Sequence, residues 1–402
     1  MATSATSALD RARGFGQIAA MIGSSSSSGS WTHVVLSAGV LSFVMIGDAL
    51  IYVVLPARPE TFGVSLAWVG VLLAANRLIR LVGYAWVLRL IDRIGLRTAM
   101  IAAAALAVAT TLSYGLAQGW LALLIARIFW GLSFATINLA ALAYATDAAS
   151  AIGKRVGINR AVRWIGATLA VSLGAYGATV IGVQEIFVVL GLISLLALPL
   201  AWALPRIDRR PPVERSVWSW PNALNRLLFT ISFSVDGVTV IAMTALYGGV
   251  APGAGASDAA IIATGLTLTV RPLVTMALAP VGGWLADRWG ADRMVVGAVS
   301  GMVVGLVLVG ANAIEIGLVL VIASRGVLET VVPTLVTQRQ PEDRLGALAT
   351  NATWFDLGAA LGPMAGAFLV ASVPQAWLFG TMAALIALAL LPEWRSRRTP
   401  IS

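Results

Sequence analysis

Ten charged residues stand inside stretches that are otherwise apolar: Asp48, Arg77, Arg80, Arg127, Arg163, Asp236, Arg271, Arg325, Glu329 and Asp356. A charge at the centre of a helix in hydrocarbon costs about 2.5–3.5 kcal/mol on insertion scales, so such residues mark ion pathways, substrate contacts or charge pairs. Burial favours the neutral form of a carboxyl group, which makes an enclosed acid a candidate for taking up and releasing a proton. Asp48 and Asp236 are the acids best placed for that role, or for contact with a cationic part of a ligand. The competing expectation is that each neutralises a nearby arginine. A guanidinium offers a two-toothed fork to carboxylate or phosphate, and Arg77 and Arg80, three residues apart, share a helix face. Arg77 lies 15 residues before Asp92 and Arg271 lies 16 before Asp287. At 1.5 Å per residue that sets both about 22–24 Å along their helices. Facing each other they would suit an organic anion or zwitterion; turned inward they would be neutralised by Asp48, Asp236 or Asp356. Glu329 follows Arg325 by four residues and can neutralise it along one helix face.

These side chains need elements that hold them within lipid. The 402 residues are 59% apolar and 11% charged, against roughly 25% charged in a soluble domain. Apolar runs fall at about 33–55, 66–88, 98–117, 120–143, 160–181, 186–204, 224–250, 259–282, 294–311, 316–337, 346–371 and 375–392, each near the roughly 20 residues that span a bilayer. Their length and lack of alternation predict helices, not strands. The fold class expected is an all-α integral membrane protein of 12 transmembrane helices. Residues 1–32 read as a disordered tail, 33–204 as a first six-helix half, 205–223 as a linker rich in Arg and Pro, 224–392 as a second half and 393–402 as a short tail.

Charge gives the sidedness. One set of loops carries Arg89, Arg93, Arg97, Lys154, Arg155, Arg160, Arg206, Arg209, Arg210, Arg215, Arg288, Arg293, Arg339 and Arg344, and both tails belong to it through Arg11, Arg13, Arg395, Arg397 and Arg398. The alternate set carries Arg58 beside Glu60, Glu185, Asp258 and Glu315. The positive-inside rule puts both termini in the cytoplasm of a cell membrane. The net charge of +9 is therefore topological, and no nucleic-acid partner is expected. With no Cys and a single His, His33 at the edge of the first run, no metal site or thiolate chemistry is expected. No phosphate-cradling glycine loop appears, so neither a bound nucleotide nor any other cofactor is expected.

Four features recur at a nearly constant offset: Asp48 and Asp236 (236 − 48 = 188), Asp92 and Asp287 (287 − 92 = 195), Arg127 and Arg325 (325 − 127 = 198), Gly166 and Gly358 (358 − 166 = 192). Each pair falls in the equivalent helix of its half, so the two six-helix halves are pseudo-symmetric. In carriers built this way the substrate sits at the interface near the midplane.

The loop Arg89–Arg97, centred on Asp92, Arg93 and Gly95, resembles the G-x-x-x-D-R-x-G-R-R loop of the major facilitator superfamily. The loop Gly283–Arg293, with Asp287, Arg288 and Gly290, resembles it again. The departures are Leu88 at the leading Gly position and Ala291 and Asp292 at the Arg positions. Arg127 with Gly131 resembles the R-x-x-x-G signature of helix 4 in that superfamily, and Gly358, Gly362, Pro363 and Gly366 resemble its Gly-Pro signature, here in helix 11. The resemblance covers spans 1 to 12. It implies a cytoplasmic gate made by Asp92, Arg93, Asp287 and Arg288, with Arg127 assisting proton movement or charge balance. An Asp there can accept from a neighbouring helix N-terminus and hold the halves shut. Asp147 is expected as a partner of Arg97. Gly166, Gly174, Gly358, Gly362 and Gly366 form small-residue faces for close helix packing. Trp130, Trp164, Trp284 and Trp354 read as interfacial anchors, though Trp164 and Trp354 could meet substrate.

The expectation that follows is a monomeric secondary carrier of a small organic solute, proton-coupled, with export favoured over uptake. It is not expected to be an enzyme. A transport-inactive sensor or assembly protein of the same fold is the alternative, and the retained intramembrane charges argue against it.

Overall fold

The computed structural model describes residues 30–148, 150–207, 220–248 and 258–395, which form helices joined by short turns; among them there is no strand. The first half holds α1 (Trp31–Ala57), α2 (Leu66–Ile94), α3 (Leu96–Leu116), α4 (Trp120–Thr146), α5 and α6. Helix α5 begins as Ile152–Leu169, passes through a π-helical turn at Ala170–Gly174 and ends as Ala175–Val180. Helix α6 is Val183–Ser194 and then Ala197–Trp202. In the second half α7 begins as Ala223–Ile231, is π-helical over Ser232–Thr239 and continues as Val240–Gly248. It is followed by α8 (Asp258–Trp289), α9 (Ala291–Gly310), α10 (Ile314–Arg339), α11 (Arg344–Ser372) and α12 (Gln375–Arg395).

Helices are the outcome because lipid cannot satisfy backbone N–H and C=O groups, and a helix satisfies them internally. Among the described residues, ten helices are long and apolar enough to cross a membrane. Helix α5 is interrupted by its π-turn and carries Lys154, Arg155, Arg160 and Arg163, and the side chains along the first part of α8 lie outside the described residues. Large apolar side chains such as Leu116, Val304, Phe368 and Leu388 are exposed on the outside of the bundle, as a protein bathed in lipid requires.

Helix ends are set locally. Ser30 accepts from the Thr32 N–H, Asn222 from the Asn225 N–H and Asp343 from the Gly346 N–H, each relieving an orphan donor of the first turn. Gly95 (φ 86°) and Gly290 (φ 92°) make the breaks between α2 and α3 and between α8 and α9. Both need positive φ, which gives the glycine of each D-R-x-G loop its physical reason.

Several boundaries differ from the apolar runs, and α2 runs on to Ile94, past 88. Helix α5 starts at Ile152, not near 160, and α8 runs on to Trp289. The polar turns stay helical because they pack against protein: Arg155, Arg160 and Arg163 are all buried. The tail at 1–29, most of the linker and residues 396–402 lie outside the described residues, and with them Arg11, Arg13, Arg209, Arg210, Arg215, Arg397 and Arg398.

Candidate functional site

Each half carries one aspartate–arginine pair between its first and fourth helices. Asp48 on α1 accepts a hydrogen bond from Arg127 Nη1 on α4, and Arg127 is fully buried. Arg127 also donates from Nε to the Leu72 carbonyl at 3.1 Å, from Nη2 to the Leu73 carbonyl at 3.5 Å and from Nη1 to the Tyr114 hydroxyl at 3.5 Å, while the Tyr52 ring lies 5.0 Å from its guanidinium. In the second half Asp236 on α7 accepts from Arg325 Nε on α10 at 2.9 Å. Asp236 also accepts from Arg271 on α8. Both acids are thus paired with arginine. Arg77 and Arg271 bind different groups, the Ala359 carbonyl and the Asp236 carboxylate.

Two further sets join the halves. Arg80 on α2 grips Asp356 on α11 with both teeth of its fork, Nε to Oδ2 at 2.9 Å and Nη2 to Oδ1 at 2.8 Å. The Tyr84 hydroxyl donates to Asp356 Oδ2 at 2.9 Å. One turn away Arg77 Nη1 donates to the Ala359 carbonyl at 3.4 Å, so Arg77 and Arg80 do share a face, and that face meets α11. On the other seam Glu329 of α10 receives Arg163 Nη2 at 3.3 Å and Trp164 Nε1 at 3.2 Å, both from α5. Arg325 Nη1 lies 3.7 Å from the same carboxylate, the (i, i+4) neighbour foreseen. Arg160 Nε donates to the Glu329 carbonyl at 3.2 Å, and Arg160 and Arg163 share the Asn138 side-chain oxygen at 3.0 and 3.3 Å.

At the arginine-rich end the halves meet through backbone. Asp287 accepts from the N–H groups of Gly153 (2.7 Å) and Lys154 (2.8 Å) at the start of α5. An acid there complements both the free donors and the positive end of the helix. The helices touch: a Cβ on Gly153 would fall 2.4 Å from the Gly283 carbonyl, and one on Gly283 would fall 2.1 Å from the Gly153 carbonyl. Arg344 of α11 donates to the Thr146 carbonyl of α4. Asp92 is half-buried and Arg93 exposed at the matching place on α2, and Arg288 lies over the Trp284 ring at 5.5 Å. The bond that Arg97 makes is to the Trp202 carbonyl, with the ring at 5.5 Å. Arg97 therefore meets the end of α6, which supplies a carbonyl and an aromatic face together, and not Asp147.

A family model described as Major Facilitator Superfamily matches residues 37–262 and 227–400. The chain belongs to this superfamily. No curated protein sequence matches it. Among solved structures it is similar to the human organic anion transporter MFSD10 (TETRAN), at a TM-score of 0.73 and 15% identity over 90% of this chain and 99% of that one. It is also similar to the proton:xylose symporter XylE bound to 6-bromo-6-deoxy-D-glucose, at 0.70 and 17% over 92% and 96%. Identities this low establish the fold alone; that the chain is a multi-pass membrane protein of a superfamily that carries small molecules rests on the family model.

Within the superfamily fold the glycines divide into two kinds. Gly166 and Gly174 set α5 against α1, where a Cβ on Gly166 would fall 2.1 Å from the Ser42 carbonyl. Gly358, Gly362 and Gly366 set α11 against α7 in the same way, and Pro363 lies in that contact, its ring 3.0 Å from where a Cβ on Gly237 would stand. These contacts stay inside one half. Gly153, Gly157 and Gly283 make the contact between halves, and sequence reasoning passed over them although Gly153 and Gly157 have the small-x-x-x-small spacing. Tyr84 and Asn138 were also missed, since a tyrosine or asparagine in an apolar run gives little signal. Of the four tryptophans, Trp284 is exposed as an anchor should be. Trp130 is buried and stacked on Phe134, Trp164 is bonded to Glu329, and Trp354 meets Phe229 edge-on. Polar partners and ring contacts inside the bundle hold these three away from the interface.

Proposed function

We propose that the protein is a proton-coupled carrier of a small organic anion or zwitterion, working by alternating access between halves at 33–204 and 224–392. The observation that carries this reading is a charge imbalance. Arg77, Arg80, Arg127, Arg160, Arg163, Arg271 and Arg325 stand within the helices with Asp48, Asp236, Glu329 and Asp356, so the cations outnumber the acids by three. A buried charge without a partner is costly, and an anionic solute supplies one. Of the similar structures, one is named an organic anion transporter and another a proton symporter, so this fold accommodates both properties.

In this reading Asp48 is the proton-coupling acid. A proton arriving at Asp48 displaces one guanidinium, whereas one arriving at Asp236 must displace two. Asp287, Gly153 and Gly283 form the cytoplasmic gate, and they part when the carrier opens inward. The arginine-rich end and both termini face the cytoplasm of the cell membrane, the working unit is a monomer, and the direction is export. The test is solute-evoked proton movement in proteoliposomes with a trapped pH dye, across organic anions, zwitterions and cationic drugs, and with gradients of either sign. Movement evoked by anions and lost in Asp48→Asn supports the reading. Silence with every class, in protein shown to be folded, overturns it.

A further inference from the structure

The arginine surplus is not spread evenly. Arg127 is matched by Asp48, and Arg80 by Asp356. The excess gathers where α5 meets α8 and α10. There the guanidinium groups of Arg160, Arg163, Arg271 and Arg325 have two carboxylates among them, Asp236 and Glu329. Glu329 meets three of the four, Arg163 and Arg325 at its carboxylate and Arg160 at its main-chain carbonyl. Two positive charges are left over in a place where Arg160 and Arg163 are each more than nine-tenths buried.

The donors are in surplus as well. A guanidinium has five N–H donors. Arg160 and Arg163 sit three residues apart on one face of α5, and both lean on the same neutral acceptor, Asn138 Oδ1. Arg163 Nε is buried with no hydrogen-bond partner among the described residues. Two like charges sharing one amide oxygen, with a donor to spare, form a site that a further acceptor would complete. Glu329 already shows the geometry: one carboxylate held by Arg163, Trp164 and Arg325, from both halves of the molecule.

We infer that this cluster is the anion-binding site, that it takes a small organic dianion, and that Glu329 is a tethered stand-in which the substrate displaces. This rests on the organic-anion reading above and narrows it. Two net positive charges match a dicarboxylate or a phosphate monoester, and guanidinium forks recognise either. A dianion bridging Arg160 and Arg163 on α5 to Arg271 and Arg325 on α8 and α10 would also take over the cross-half role of Glu329, which ties substrate arrival to release of that seam.

The test is thermal stabilisation of the purified protein by succinate, phthalate and phenyl phosphate against the monoanions monomethyl succinate and benzoate, with proton movement recorded for the same compounds. Dianions are expected to bind at least about tenfold more tightly than their monoanionic counterparts; which of the carboxylate and phosphate arms binds identifies the head group. Glu329→Gln is expected to tighten dianion binding by about tenfold, because the competitor loses its charge. Arg163→Gln is expected to abolish the preference for dianions. Should that variant not fold, Arg163→Lys, which keeps the charge and loses the fork, is expected to weaken dianion binding while monoanion binding is unchanged. Monoanions binding as well as dianions, or Glu329→Gln leaving dianion affinity unchanged or weaker, overturns the inference. If monoanions evoke proton movement and dianions do not, the inference falls and the carrier function stands. If no anion of either valence does so, both fall.

Discussion

The two halves repeat one aspartate–arginine pair and surround it differently. In the first half Asp48 has Arg127, with Asn76 and Tyr52 hydrogen-bonded to each other nearby at 3.2 Å. In the second half Asp236 has Arg325 and also Arg271, which stands where the first half has Asn76 (271 − 195 = 76). From Arg325 the network runs on through Glu329 to Arg163 and Trp164 in the other half. A pair with one partner can be opened by a single proton. A pair embedded among several cations resists a proton and offers its surplus to an anion. On the proposed reading the first half's pair serves coupling and the second half's pair serves binding.

The comparison breaks first at Asp236. Asp236→Asn takes the carboxylate away from half-buried Arg271 and from buried Arg325, which keeps only Glu329 at 3.7 Å, and removing one partner of a buried pair costs about 3–5 kcal/mol. Chemical denaturation should show a loss at or above that range, with anion binding lost as well. Asp48→Asn strands one guanidinium that keeps a backbone acceptor in the Leu72 carbonyl. The expected stability loss is smaller, while anion-evoked proton movement in proteoliposomes falls at least about tenfold, or about 1.4 kcal/mol. Equal stability losses in the two variants would remove the distinction between the halves.

Arg271→Asn sharpens the contrast by giving the second half the residue of the first. Asp236 then has a single partner, and proton movement in this background should become partly resistant to Asp48→Asn in the same dye assay. A smaller effect concerns the gate. Gly153→Ala places a Cβ 2.4 Å from the Gly283 carbonyl, and overpacking of this kind costs about 1–3 kcal/mol. The sequence contains no Cys, so spin labels can be placed at Ser150→Cys and Trp289→Cys. Their separation should shift to the longer, parted distance in Gly153→Ala. It should stay put in Gly70→Ala, where nothing lies within 4 Å of the added Cβ.

The sequence made the charged residues and their depth legible, because a lone Asp or Arg in an apolar run cannot be overlooked. It also singled out Asp287 through its D-R-x-G loop, and the structure places that residue in a contact between the halves. Partner choice was not legible: Asp48 finds Arg127 79 positions away, and Asp356 finds Arg80 276 away, separations that only the packing of the helices can close. The start of α5 was hidden because its arginines looked like loop residues when they are buried against α4 and α10. The inter-half glycines were hidden because Gly153 and Gly157 lie before the apolar run in which small-residue faces were sought.

Asp236 lies within the π-helical stretch of α7, Ser232–Thr239, where the Thr239 hydroxyl reaches back five residues to the Ser234 carbonyl at 2.9 Å. A π-turn is an α-helix with one residue too many. Passing that extra residue from one side of Asp236 to the other would swing the carboxylate by about 100° around the helix axis, with the tally of main-chain bonds unchanged. Helix α1 is α-helical through Asp48 and has no such slack. The backbone that carries Asp236 therefore holds one residue of slack, and the backbone that carries Asp48 holds none.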